Sequence, residues 1–374
     1  MPAPPPSFDA FAFVVQLLLH PGAALSGTVG PALRGALQDL GIGLTGYNAV
    51  VALLCFVAMS GFVTVTALVL TLAERKVAAF FQNRKGPNRV GPWGLLQPIA
   101  DVVKLLQKED IVPRAADRPI FLLAPFVGMI ATYMVLAVIP FDKGLSVTDL
   151  DLGVLYITAV SGLGVLSILM AGWSSANKYS LLGGLRSAAQ IVSYELSPAL
   201  VVLSVVLFAG TLSVQSIVEK QADQWNLWHM GPMGVLGMLI YLTAGTAEIN
   251  RAPFDLPEAE SELTAGYHTE YSGMRFSMFQ LAEFMNMFII AALTATLFLG
   301  GWQPLGPLRA LGIPGYIWFF GKTSLVMFVI MWFRWTFPRV RVDQLMKLEW
   351  KVLLPLSFIN LVCVALWAAA GFGK

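Results

Sequence analysis

Charge is what this sequence has least of. Asp, Glu, Lys and Arg make up 12% of its 374 residues, about half the share of a soluble domain, while 57% are hydrophobic. Polar residues are too few to coat one water-facing globule, and a mean hydropathy of +0.71 excludes that class. Cysteine is nearly absent. Cys55 and Cys363 both fall inside apolar runs, without the spacing of a disulfide framework, a metal site or a cluster, so both read as small packing residues. His20, His229 and His268 are scattered and no nucleotide-binding loop is present, which leaves nothing to hold haem, flavin or an iron–sulfur cluster. No Lys or Arg precedes Arg34, so the opening MPAPPPS lacks the basic start of a secretory signal and an uncleaved arm is expected.

What is present is a series of apolar runs near the ~20 residues needed to span hydrocarbon. They fall at 49–73, 119–141, 152–173, 184–209, 232–247, 276–299, 316–334 and 352–370. The expectation is an all-α polytopic membrane protein with eight transmembrane helices, amphipathic surface helices and a long acidic cytoplasmic connector. Residues 1–47 form an N-terminal arm on the outer side, with a short surface helix at Phe8–His20, and 48–374 form a single membrane domain. Of the 24 Lys and Arg residues, eighteen lie in the connectors 74–118, 172–186, 248–275 and 334–351. That bias places these connectors in the cytoplasm and both termini outside. Trp302, Trp318, Trp332 and Trp335 sit near span ends, as interface anchors do.

Two connectors carry the most information. In the first, Leu95, Ile99, Val102 and Leu106 recur at helical spacing while Gln97, Asp101, Lys104 and Lys108 take the other side, which predicts an amphipathic helix over 94–108 lying on the membrane surface. The plain reading of that helix is an interfacial anchor. The connector 248–275 holds six acids (Glu248, Asp255, Glu258, Glu260, Glu262 and Glu270) against Arg251 and Arg275. Asp255 followed by Glu258, with Pro257 between them, is a capping-box pattern that predicts a short helix from Leu256 to Ala265, ended by Gly266. Glu258 and Glu262 then share a face, where two carboxylates resist double ionisation and one holds a proton near neutrality. A solvated acidic loop is the alternative.

Ionisable groups also lie inside the spans. Glu195 falls about 16 Å past the cytoplasmic start of the fourth run at a helical rise of 1.5 Å, and Glu283 a turn or two inside the sixth. A carboxylate at such depth costs roughly 2.5–3.5 kcal/mol on insertion scales and is a functional candidate by default. Pairing with a buried Arg or Lys is the competing structural explanation. Glu74, Glu195, Glu248 and Glu283 together suit a buried polar route.

Five strings carry a resemblance: ERK at 74–76, QNRKGPNRVGPWGLLQPIADVVKLLQKED at 82–110, SAAQIVSYELS at 187–197, AEINRAPFDLPEAESELTAGYHTEYSGMRF at 247–276 and PRVRVDQLMKLEWK at 338–351. They resemble the family of the quinone-site membrane subunit of respiratory complex I, over about residues 48–370. The resemblance implies a subunit of proton-translocating NADH:quinone oxidoreductase in a bacterial plasma membrane. It implies a quinone access tunnel open to lipid, a headgroup site shared with two neighbouring hydrophilic subunits, and contacts with small membrane subunits. FMN and Fe–S clusters are then expected in partner subunits, with quinone as substrate, no cofactor in this chain and no nucleic acid.

Carried over by position, Arg75, Asp101, Phe276, Glu283 and Arg334 line the quinone tunnel, with Arg75 and Arg334 offering positive charge beside Asp101. Glu195, Glu248, Asp255, Glu258, Glu260, Glu262 and Glu270 belong to the acidic path that links quinone chemistry to proton transfer. Gln280 and Phe284 depart from the family's pattern, where an aromatic and a Tyr are common. Two alternatives stay open: the equivalent subunit of a ferredoxin-, deazaflavin- or hydrogenase-linked complex, and an independent ion or solute transporter. Against the transporter, the sequence has no inverted repeat.

Overall fold

The computed structural model describes residues 44–257, 260–304 and 312–371. The surface helix expected at Phe8–His20 lies outside them. In hydrocarbon a backbone must satisfy its own N–H and C=O groups, so apolar runs become helices. In chain order these are α1 (Leu44–Phe81), α2 (Gln97–Gln107), α3 (Arg118–Leu136), α4 (Gly153–Ser174), α5 (Lys178–Tyr194), α6 (Leu196–Ala209) and the short α7 (Val214–Lys220) and α8 (Asn226–His229). Then follow α9 (Pro232–Glu248), α10 (Glu260–Leu263), α11 (Gly273–Phe298), α12 (Gly315–Thr336), α13 (Val342–Leu348) and α14 (Leu354–Ala369).

Seven of the described helical segments are long and apolar enough to cross a membrane: Leu53–Phe81, Arg118–Leu136, Gly153–Ser174, Lys178–Ala209, Gly273–Phe298, Gly315–Thr336 and Val342–Ala369. The remaining expected run, the fifth at 232–247, is α9, a helix of 17 residues. At 1.5 Å per residue it is about 26 Å long, a little short of the ~30 Å hydrocarbon layer.

Helix ends depart from the apolar runs for identifiable reasons. The run expected at 119–141 stops being helical at Leu136, because Pro140 has no N–H for the Leu136 carbonyl and the chain tightens through i−3 bonds at Val138 and Ile139. The last span reaches back to Val342, through a π-helical turn at Glu349–Leu353; hydropathy detects only its apolar part. The fourth is interrupted at Glu195, between α5 and α6. Three residues on, Pro198 has no N–H to give the Tyr194 carbonyl, so one rung of the ladder is missing beside the glutamate.

Helix α11 is the axis of the bundle, buried from Phe284 to Phe298 except at Asn286. Helices α4 and α5 approach so closely that a Cβ on Gly172 would meet the Ser180 carbonyl oxygen at 2.7 Å, so small residues are required there. Trp302, expected as an interface anchor, is instead buried in the core beyond the end of α11.

The four base-rich connectors meet on one face. Arg275 pairs with Asp110 at 3.0 Å, Arg186 with Glu262 at 2.6 Å and Arg339 with Asp255 at 2.8 Å. Asn177, which caps α5, donates to Glu270 at 2.6 Å. Pro125 inside α3 frees the Phe121 carbonyl, and the Tyr271 hydroxyl from the acidic connector donates to it at 3.1 Å. A proline in one span thus creates the socket that docks a loop.

On the opposite face Lys322 closes the C-terminal end of α11. Its ammonium donates to the carbonyls of Leu299, Gly301 and Gln303 at 2.6, 2.9 and 2.6 Å and lies 4.3 Å from the Trp225 ring centroid. A cation suits the negative end of a helix dipole. Lys322→Met removes all three bonds and leaves buried acceptors unsatisfied, each worth about 1–3 kcal/mol. The expected outcome is a clearly lower thermal unfolding midpoint of the detergent-solubilised protein; an unchanged midpoint contradicts the capping role.

Candidate functional site

Two polar assemblies lie inside the bundle. The first is a cavity of about 510 Å³ lined by α3, α4, α5, α6, α9 and α11, many times the ~10–15 Å³ of such space that one water needs. Its walls are mostly aliphatic, but Glu195, Glu248, Glu283, Asn250, Asn286 and Tyr241 all border it. Three carboxylates therefore converge from three different helical segments. Glu195 comes from the α5–α6 break, Glu248 from the last residue of α9 and Glu283 from the third turn of α11. The break aims Glu195 at Gly162 of α4, where a Cβ would stand 3.6 Å from the carboxylate oxygen.

The second assembly is a chain of charges. Arg251, 4% exposed, donates through Nη1 to Glu74 at 2.8 Å and approaches Glu283 through Nε at 2.7 Å. Arg334 also donates to Glu74. The Arg251 guanidinium lies 4.7 Å from the centre of the Phe284 ring, a cation–π contact. Two bases and two acids cancel, which is how a low-dielectric interior holds charge at all. Gln190 stabilises the turn that carries Arg251, donating to the carbonyls of Ala247 and Phe254 at 2.7 and 2.8 Å. Glu283 belongs to both assemblies. It borders the cavity and meets Arg251, so pairing with a buried base and a place at the cavity wall are realised in one side chain.

The remaining candidates are spread along the connector face. Arg75 pairs with Asp101 at 2.6 Å, and Gln97 donates to the same carboxylate at 3.3 Å, which ties α2 to the end of α1. Arg334, expected beside Asp101, pairs with Glu74 instead, because that carboxylate is 8% exposed and lies with the Arg251 guanidinium. Phe276 packs on the His268 ring at 5.3 Å, within the aromatic cluster of Phe121, Tyr271 and Phe279. His268 is largely buried among these rings, and desolvation pushes its imidazole down to about 4.

The acidic connector corrects one expectation and narrows another. Asp255 does not cap a helix at Leu256: its carboxylate is engaged by Arg339, Leu256 and Pro257 are not helical, and the described helix is Glu260–Leu263. Glu262 does not hold a proton near neutrality, because it is exposed and the hydrogen bond and charge of Arg186 keep it below the usual carboxylate range. The distant connector 172–186 supplies the compensating base. Glu270 is half-buried and accepts from Asn177. Glu258 lies outside the described residues, as does the side chain of Glu260.

Sequence reasoning leaves Arg251 out of the site, counting it only as a base within an acidic stretch. The signal is its place in NRAPFD, three residues beyond Glu248, where two spans each bring a carboxylate that needs a counter-charge. Among the described residues, no group of three or more His, Cys, Asp and Glu side chains is placed to hold a metal ion.

Known proteins match this sequence along most of its length. The family model described as NADH dehydrogenase matches residues 53–365. The chain is 51% identical over 325 residues to the NADH-quinone oxidoreductase H subunit of Bacteroides thetaiotaomicron, covering 85% of this chain and 90% of the relative. It is 52% identical over 307 residues to the protein of the same name from Anoxybacillus flavithermus, 82% of this chain and 89% of that one. With that of Geobacillus kaustophilus identity is 53% over 295 residues, 79% and 87% of the two chains. The matched stretch contains both the acid-bordered cavity and the Arg251 charge chain, and the chain belongs to the family of NADH-quinone oxidoreductase H subunits, membrane components of respiratory complex I.

Proposed function

We propose that this chain is the membrane subunit of a proton-translocating NADH:quinone oxidoreductase that admits quinone from the bilayer and couples its reduction to proton movement. The observation that carries the reading is the double membership of Glu283. A carboxylate bonded to Arg251 on one side and bordering a cavity with Glu195 and Glu248 on the other feels charge at one assembly and passes the change to the other. Reduction of a quinone takes up two protons, so charge moves at the headgroup site and nearby bases respond. Carboxylates in a low-dielectric surround then exchange protons in a coupled way.

Roles follow from position. Arg75, Asp101, Phe276, Glu283 and Arg334 line the quinone path between α1, α2, α11 and α12. Glu195 and Glu248 carry protons through the cavity. Asp255, Glu258, Glu260, Glu262 and Glu270 form the outer acidic approach, in which Arg339, Arg186 and Asn177 hold Asp255, Glu262 and Glu270. Electrons come from FMN and Fe–S clusters in hydrophilic partner subunits that dock on the connector face, and small membrane subunits pack beside the bundle. Eighteen of 24 bases on the connectors support a cytoplasmic position for that face, with both termini on the periplasmic side of a bacterial inner membrane. Residues 48–374 form one membrane domain, with the N-terminal arm on its outer side.

Glu195→Gln keeps the side chain's size and removes its proton exchange. A positioned proton-transfer group contributes typically ~10²–10⁴-fold, so quinone-linked proton uptake in the assembled complex should fall at least about tenfold with the subunit complement intact. Full coupled activity in an assembled variant defeats the proposal.

The Arg75–Asp101 pair is partly exposed, 45% and 21% at its two side chains, and an exposed pair contributes only about 0.2–1 kcal/mol to stability. Asp101→Asn should therefore leave assembly unchanged while altering the apparent KM for quinones in a manner that depends on tail length. An equal response to short- and long-tailed quinones reduces the pair to a surface anchor.

His268 has its pKa lowered by burial to about 4, so its neutral form prevails at and above neutrality and its charged form opposes the packed ring cluster. Stability from this site is present above the ordinary histidine range and is lost as pH falls toward the folded value. His268→Gln should leave the activity profile between about pH 6 and 8 unshifted; a displaced profile there identifies it as a titrating group.

A further inference from the structure

Behind the α5–α6 break lies a carboxylate that borders neither polar assembly. Glu349 opens the π-helical turn Glu349–Leu353 of the last span and is 1% exposed. Ser197, two residues past Glu195, donates its hydroxyl to Glu349 Oε1. Glu349 Oε2 is buried with no hydrogen-bond partner among the described residues, and no described base pairs with it. The other titratable group set against it is the Tyr194 phenol, whose hydroxyl donates to the Leu345 carbonyl at 3.2 Å. Tyr194 and Ser197 thus bracket Glu195 and tie both sides of the break to the last span.

The same helix seam carries other polar groups, and they behave differently. Ser204 donates to Asn360 at 3.1 Å, Asn360 donates to the Met233 carbonyl at 2.7 Å and Ser357 donates to the Leu354 carbonyl at 2.8 Å. Neutral, bonded groups of this kind are what helix association in a membrane uses. Glu349 is ionisable, lacks a counter-charge among the described residues and leaves one oxygen bare, a poor choice for adhesion alone. It also sits in a π turn, a local irregularity frequent at functional sites.

We propose that Glu349 is a proton-exchanging carboxyl that works with Glu195 across the break, a site additional to the cavity acids. The inference rests on the coupling role proposed for Glu195. The step moves no electrons: ionised Glu349 binds one proton at its unpartnered Oε2 and releases the same proton when it re-ionises, while the Ser197 hydroxyl donates to Oε1 in both states. Ionised Glu349 grips Ser197 more firmly than its neutral form, so its charge also sets how tightly the Glu195 segment is held against the last span. Glu349 is a positioning and proton-storing residue, not one that touches quinone.

The test uses the assembled complex, wild type and with Glu349→Gln, Glu349→Asp, Ser197→Ala or Glu195→Gln. Redox-difference infrared spectra are recorded in the carboxylic-acid carbonyl region, together with protons moved per quinone reduced in vesicles. Glu349→Gln should lose one carboxylic-acid band and slow coupled turnover several-fold, Glu349→Asp should restore both in part, and Ser197→Ala should shift that band to higher wavenumber. An infrared spectrum and coupled rate identical to wild type in Glu349→Gln overturns the proposal. Should that variant not assemble, an unshifted band in Ser197→Ala overturns it equally. If Glu195→Gln is impaired while Glu349→Gln is not, only this inference falls; if both are fully coupled, the reading it rests on falls too.

Discussion

The half of the molecule beneath the connector face depends on keeping the Arg251 guanidinium neutralised in a place water does not reach. Arg251 is 4% exposed, and its partners Glu74 and Glu283 come from α1 and α11, far apart in the chain. Removing one member of such a buried set leaves an uncompensated charge, a loss of about 3–5 kcal/mol. The arrangement therefore fixes three things together: the end of the first span, the centre of the bundle and the turn that begins the acidic connector. Arg334 brings α12 to the same point.

Because the set is balanced, it responds to any change in charge beside it. Glu283 shares Arg251 with Glu74 and borders the cavity that Glu195 and Glu248 also reach. A proton arriving at Glu283 weakens its hold on Arg251, which strengthens the pull on Glu74 and alters the Arg334 contact. The same chain runs in reverse when charge changes near Arg334. Aliphatic walls around the cavity carboxylates keep the dielectric low enough for such effects to travel across the site.

Much of this is legible in the chain, and what escapes does so for physical reasons. Hydropathy locates the long helices of the bundle, because the bilayer imposes its thickness on sequence, but it misjudges ends where Pro140 stops α3 and where the polar start of the last span is helical all the same. Glu195, Glu248 and Glu283 stand out as acids in or beside apolar runs, and the cavity joins them. Arg251 does not stand out, since its meaning lies in two carboxylates brought to it only by folding. Glu262 is a similar case: Arg186, remote in sequence, supplies the base that keeps it ionised. Pro125 and Tyr271 form the converse case, in which a known defect in a helix has its remedy on a loop that sequence cannot pair with it.

The distribution of bond strengths has a dynamic consequence. Connector pairs such as Arg75–Asp101 and Arg186–Glu262 are partly or largely exposed and each contributes little, whereas the Arg251 set and the Lys322 cage are buried and costly to open. Movement is therefore cheap across the outer connector face and expensive around the third turn of α11 and at its C-terminal end. The α5–α6 break is an intermediate case. A missing rung at Pro198 loosens it, while Tyr194 and Ser197 hold it to the last span. A glutamate mounted there can change its surroundings by a small local shift, without unseating the Arg251 set that keeps the bundle together.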